Sequence, residues 1–218
     1  MSDKPHIYFV PGLAASTDIF EYLDFTNISA DITYLDWLIP TSKKEALSAY
    51  AQRMCDRIKH PNPILIGVSF GGVMVQEMSK LINPKKVIII SSIKSKSEMP
   101  KKLLFIEKTK MYRLFPTKLV RNIDRLENVK LGPKLRNRVS LYKKYLSMRD
   151  ETYLPWAIYN VLHWNQTAPQ KNLIHIHGDR DEVFPIKYIK SCEVVPGGTH
   201  VMILNKAKTI GQLIQSHL

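Results

Sequence analysis

Two cysteines, Cys55 and Cys192, are all that the 218 residues contain. They stand far apart with no Cys-x-x-Cys spacing, so neither a disulfide framework nor a thiolate metal site is supported. Buried thiols are the expected reading. Long apolar runs are missing too. No stretch approaches the roughly 20 residues that a membrane-spanning helix requires. The short apolar run in the N-terminal "MSDKPHIYFVPG" lacks the layout of a signal peptide, so a soluble, cytoplasmic protein is expected. No internal repeat is visible. With 44% hydrophobic and 23% charged residues and no long polar tract, disorder is disfavoured. The length suits one sizeable core, hence a single domain over residues 1–218.

Acidic residues are scarce: 19 Asp+Glu stand against 32 Lys+Arg, a net charge of +13. The imbalance is local. Residues 94–150 hold 17 Lys+Arg and 5 Asp+Glu, a net of +12, while the rest holds 15 and 14, a net of +1. One segment is thus compositionally separate from its surroundings.

The first half alternates apolar runs with helical spacing. "HIYFV", "DITYLDW", "PILIGVS" and "KKVIIISS" read as strands. "STDIFEYL", N-capped near Ser16 or Thr17, and "SKKEALSAYAQRMCDRI" and "GGVMVQEMSKLI" read as helices. The strands are mostly unbroken apolar runs, which suits a parallel sheet buried on both faces. From Ile93 to about Asp150 no strand is convincing. Helical spacing recurs at Leu104, Met111, Leu114 and Phe115, at Leu119, Ile123 and Leu126, and at Leu135, Val139, Tyr142 and Leu146. The helix-like "LPWAIYNVLHW" follows, so a basic helical insert over about 93–165 is expected. Strand "KNLIHIHG", a loop, a short helix near "PIKYIK", strand "CEVVPG" and one final helix "VMILNKAKTIGQLIQSHL" complete the chain. The fold class is therefore α/β: three α/β/α layers, a mostly parallel sheet of about six strands, and an inserted basic helical segment.

"ILIGVSFGG" places Ser69 in Gly-x-Ser-x-Gly between a strand and a helix. A serine hydroxyl attacks carbonyls only with a base, a group to orient that base, and donors for the oxyanion. The strand–turn–helix context is that of a nucleophile elbow. The Phe70 N–H, next in sequence at a helix N-terminus, is the natural oxyanion donor. The loop "VPGLAAS" after the first strand offers a second, the Leu13 N–H, with Ala14 as fallback. His200 follows the last strand and can reach over the sheet's carboxyl edge. His175 and His177 fall in an apolar strand and read as packing residues. His163 sits on a helix, and His6, His60 and His217 read as solvated. "HGDRDEVFP" supplies Asp179 and Asp181 where ligands bind in open α/β sheets. One can orient His200 while the other closes the turn through its own backbone. Asp181 is favoured, and Glu182 is a third candidate.

With Ser69, Asp181 and His200 in that order, the chain resembles the α/β-hydrolase superfamily, as a small serine esterase or thioesterase. The resemblance spans "IYFVPGLAAS", "LIGVSFGG", "IHGDRDEVFP" and "VPGGTHVMI". It implies the acid three residues after Gly178, with Pro185 four further on, which selects Asp181. It also implies a lid where the basic insert lies. The chain departs from the pattern in having Pro11-Gly12 where many members have His-Gly, and in lacking the first antiparallel hairpin. The implied activity is ester or thioester hydrolysis through an acyl-enzyme on Ser69, with no metal or organic cofactor. A lyase, an acyltransferase or a silent binding module on the same scaffold is the alternative. The basic lid suggests an anionic or carrier-bound acyl substrate, or contact with an acidic membrane surface. It lacks the aromatic interleaving of a nucleic-acid groove, so no nucleic-acid partner is expected.

Overall fold

A computed structural model describes residues 4–26, 28–114 and 144–218. Six strands form one sheet: β1 (His6–Val10), β2 (Asp31–Tyr34), β3 (Ile64–Val68), β4 (Lys86–Ile90), β5 (Leu173–Gly178) and β6 (Glu193–Val195). The order is β2-β1-β3-β4-β5-β6 and every pairing is parallel. β3 is buried along its whole length, and β1 and β4 are buried beyond their first residues. Burial on both sides is why these strands carry unbroken Val, Ile and Leu rather than alternation. β2 lies at an edge and is more exposed.

Alternate residues of β1, β3, β4 and β5 serve two cores. Tyr8, Val10, Leu65, Val87 and Ile89 pack on one face with α1 (Leu47–Cys55), α2 (Phe70–Met78) and α4 (Tyr153–His163). Ile7, Phe9, Ile64, Ile66, Ile88 and Ile90 pack on the other with the C-terminal helices α5 (Met202–Asn205) and α6 (Ala207–Ser216). The result is the three-layer α/β/α arrangement expected. Between β4 and α4 lies α3 (Lys101–Thr109), the described start of the insert.

Several expected elements differ. "STDIFEYL" forms only a four-residue 3-10 turn, Thr17–Phe20, and the Ser16 hydroxyl bonds Asp18 instead of capping the backbone. The final helix is split at Lys206 (φ −124°, ψ 22°). The run toward Leu114 is interrupted at Lys110, which adopts a left-handed conformation at φ 59°, so Met111–Leu114 forms a separate 3-10 turn. Met111 and Leu114 are exposed there, not on a buried face. Phe115, Leu119, Ile123, Leu126, Leu135, Val139 and Tyr142 lie outside the described residues. Both cysteines are free, and burial pushes the Cys55 thiol up to about 11. Among the described residues, no helix is long and apolar enough to cross a membrane.

Candidate active site

The strand order reverses direction at β1, which has β2 on one side and β3 on the other. Such a reversal opens a crevice at the strands' carboxyl ends. The loops after β1 and β3 emerge there. Ser69 stands between β3 and α2 at φ 54°, ψ −117°. Backbone this unusual costs about 1–3 kcal/mol in a non-glycine residue and persists only when its surroundings enforce it. The Ser69 N–H donates to the Ile90 carbonyl at 2.9 Å, and the Ser69 carbonyl accepts the Ser92 hydroxyl at 2.7 Å. The flanking glycines are forced by contact. A Cβ on Gly67 would lie 2.2 Å from the Gly71 oxygen, and one on Gly71 would lie 2.3 Å from the Pro11 oxygen. Gly71 thereby lets the elbow press against the loop after β1.

The Ser69 Oγ is 2.9 Å from His200 Nε2. His200 Nδ1 is 2.9 Å from Asp181 Oδ2. An ionised carboxylate can only accept, so Nδ1 carries the proton donated to Asp181. Nε2 is then the lone pair that faces the serine hydroxyl. Ser69, His200 and Asp181 thus stand in one hydrogen-bonded line. Asp181 is buried, which by itself raises its carboxyl pKa. The hydrogen bond and charge of His200, with the Phe184 N–H, outweigh that, and the net displacement is downward. Oδ1 of the same carboxylate accepts the Val183 and Phe184 N–H groups, both at 2.8 Å. Asp181 therefore closes its own turn. Asp179, assigned that task from the sequence, instead accepts the Gly197 N–H at 2.7 Å and ties the next loop.

The other histidines form no hydrogen bond with Ser69, His200 or Asp181 among the described residues. His175 and His177 are buried in β5, as expected of packing residues, yet they are bonded to each other at 3.1 Å. His177 Nε2 donates to the Phe184 carbonyl at 2.8 Å and is 3.7 Å from Asp181 Oδ2. Burial lowers the pKa of both. His163 stacks on Tyr159. His6 and His60 stack on one another, and His217 pairs with Glu193, so these three are engaged and partly buried, not simply solvated.

In the loop after β1, the Ala14 N–H is taken by the Tyr153 hydroxyl at 3.3 Å, which removes the fallback oxyanion donor. Neither the Leu13 nor the Phe70 N–H has a hydrogen-bond acceptor among the described residues. A Cβ built on Gly12 would lie 3.7 Å from the Ser69 Cβ, so this loop flanks the serine. Sequence reasoning missed Ser92 and Phe184. Phe184 joins Asp181, His177 and, through a ring contact at 5.5 Å, His200. A cavity of about 390 Å³ beside Lys94 and Glu98, and one of about 240 Å³ beside Trp164, include none of Ser69, His200 or Asp181. No group of metal-ligating side chains occurs among the described residues.

No protein-family model and no curated protein matches the chain. Solved structures do. An epoxide hydrolase of Bacillus megaterium aligns with a TM-score of 0.70 at 12% identity, covering 98% of this chain and 93% of that one. A lipase-esterase related protein of Clostridium acetobutylicum gives 0.62 at 15% identity, with 99% and 96% covered. A type II thioesterase of the yersiniabactin biosynthetic pathway gives 0.60 at 13% identity, with 99% and 93% covered. The chain has the α/β-hydrolase fold. Identities this low carry the fold and not the substrate. Within that fold the sheet here is the six-stranded form, and the basic insert leaves it after β4.

Proposed function

We propose that the protein is a serine hydrolase that cleaves a carboxylic ester or thioester through an acyl-enzyme on Ser69. The observation that carries this reading is the line from Ser69 through His200 to Asp181, with the serine on a strained elbow. Ser69 Oγ attacks the acyl carbonyl carbon while His200 Nε2 takes its proton. The carbonyl oxygen becomes an anion, for which the Leu13 and Phe70 N–H groups are the donors. Asp181 holds the tautomer and offsets the charge of the imidazolium. The tetrahedral species collapses as His200 returns the proton to the leaving alcohol or thiol. Water then repeats the sequence on the acyl-enzyme, losing its proton to His200 and releasing the acid. No step requires a metal or organic cofactor.

The bonded geometry favours catalysis over a silent binding module, in which a strained serine would gain nothing. For the substrate, the exposed Lys101, Lys102, Lys108, Lys110 and Arg113 support an anionic or carrier-bound acyl group, or an acidic membrane surface as the source of substrate.

The test is a panel of acyl esters and thioesters of graded chain length, with fluorophosphonate labelling, on the wild type and on Ser69→Ala. Turnover and labelling are expected in the wild type and should vanish in the variant. Equal turnover by Ser69→Ala would sink the assignment. Product analysis with an added acyl acceptor separates hydrolysis from transfer.

A further inference from the structure

Consecutive peptide units of the loop after β1 are held from outside the loop. The Gly12 carbonyl accepts the Trp37 indole Nε1–H at 2.8 Å and, within the loop, the Ala15 N–H at 3.0 Å. Beyond Leu13, the Ala14 N–H is bonded to Tyr153, and the Ala14 carbonyl accepts the Met148 N–H at 3.1 Å. Trp37 comes from the segment after β2 and is 4% exposed. Its ring stacks on Phe70, with centroids 5.3 Å apart and planes 23° apart. A single side chain thus touches both places from which an oxyanion donor would come.

The peptide plane makes that contact consequential. In a trans peptide the carbonyl and the following N–H point in opposite directions within one rigid unit. The described chain contains no cis bond. Whatever holds the Gly12 carbonyl therefore also aims the Leu13 N–H. Gly12 lacks a Cβ and gives this unit little resistance of its own to rotation. Tyr153 and Met148 secure the far side of Leu13, at Ala14, which sits at φ 61°.

We propose that Trp37 is a positioning residue for the oxyanion site. Its indole N–H locks the Gly12–Leu13 peptide so that the Leu13 N–H faces away from the indole, and its ring braces Phe70. The inference rests on the serine-hydrolase reading. It assigns Trp37 no contact with the reacting atoms.

Trp37→Phe keeps an aromatic ring and removes the donor. Trp164→Phe is the control. Trp164 is also 4% exposed, and its indole N–H donates to Glu77 at 2.7 Å, away from the site. Four quantities are read on each purified variant: the melting temperature, kcat and KM on the best ester found, and the second-order rate of fluorophosphonate labelling, whose phosphoryl oxygen needs the same donors. An oxyanion donor acts in the transition state, and losing one outright lowers kcat about 100- to 1,000-fold. Losing its alignment is expected to lower kcat and the labelling rate by about 10- to 100-fold, with KM within about twofold. Trp164→Phe should stay close to wild type in both rates. The inference is overturned if Trp37→Phe labels and turns over within about twofold of wild type, if its loss appears in KM alone, or if Trp164→Phe loses as much activity. If the wild type itself does not label at Ser69, the hydrolase reading fails and this inference fails with it. Labelling of both proteins at equal rates overturns the role of Trp37 alone.

Discussion

His175 and His177, 3% and 0% exposed in the middle of the molecule, make its stability depend on pH in a definite window. Their bonds fix the tautomers. His177 Nε2 donates to the Phe184 carbonyl, so its Nδ1 accepts from His175 Nε2, and among the described residues His175 Nδ1 is buried without a hydrogen bond. That arrangement needs both rings neutral. Burial lowers both pKa values from the ordinary 6.5. The His177 ring and Lys94 lower that of His175 further and the Ser92 backbone partly opposes it, while the Phe184 carbonyl and Asp181 partly oppose the fall at His177. The unfolded chain therefore binds more protons than the folded one below pH 6.5, and stability falls as pH falls through that value. For a histidine that stays neutral when folded, the loss between about pH 7.5 and about pH 5.5 is RT ln 10, roughly 1 kcal/mol. His175 is expected to contribute that amount and His177 up to the same again, against a typical total of about 5–15 kcal/mol. The perturbation is His175→Gln, which retains an N–H for His177 and cannot be protonated. Urea unfolding at the two pH values reads the result. The variant should be less stable at the higher pH but should lose roughly 1 kcal/mol less on acidification. An equal loss in both proteins would refute the reasoning.

Asp181→Asn should leave the fold near intact and lower kcat by about 10⁴-fold, measured on any ester the wild type cleaves, because the imidazole loses its orienting charge. In the wild type the depressed Asp181 pKa contributes stability above its ordinary value of 3.8, and this is lost as pH falls through the lower folded value. Gly71→Ala brings a Cβ to 2.3 Å from the Pro11 and Val10 oxygens, so it should destabilise by about 3 kcal/mol or more, seen as a lower urea midpoint. Lys94→Met removes the ammonium 3.3 Å from Glu98, which is 1% exposed and keeps, among the described residues, only the Lys94 and Lys190 backbone N–H groups, and should cost about 3–5 kcal/mol in the same assay.

How far the sequence could be read tracks the range of the forces involved. Gly67 and Gly71 are dictated by contacts within a few residues and with the neighbouring loop, so the elbow at Ser69 could be read from its short motif. Asp181 follows the apolar run of β5 and His200 follows the short strand β6, only Glu193–Val195, and parallel pairing brings their loops to one edge. The break at Lys206 could not be read, because apolar spacing continues across it. The burial of His175 and His177 could be read from their apolar strand, but their bond to each other could not, although residues two apart in a strand share a face. Trp37 carried no local signal. Its partners, Gly12 and Phe70, lie 25 and 33 positions away, and only the sheet order brings them together.

That sheet order also acts as a ruler. β1 and β3 are paired so that Val10 sits opposite Gly67. Leu13 and Phe70, the proposed donors, each stand three residues beyond that pair. Neighbouring strands keep a spacing of about 4.8 Å whatever side chains they carry. The gauge of the proposed oxyanion site would therefore be laid down by backbone pairing, and on the proposed reading side-chain drift around Ser69 changes which acyl groups fit without resetting it. Only a slip of one strand against the other would do that, and it would turn the strand's buried residues to the wrong faces at the same stroke.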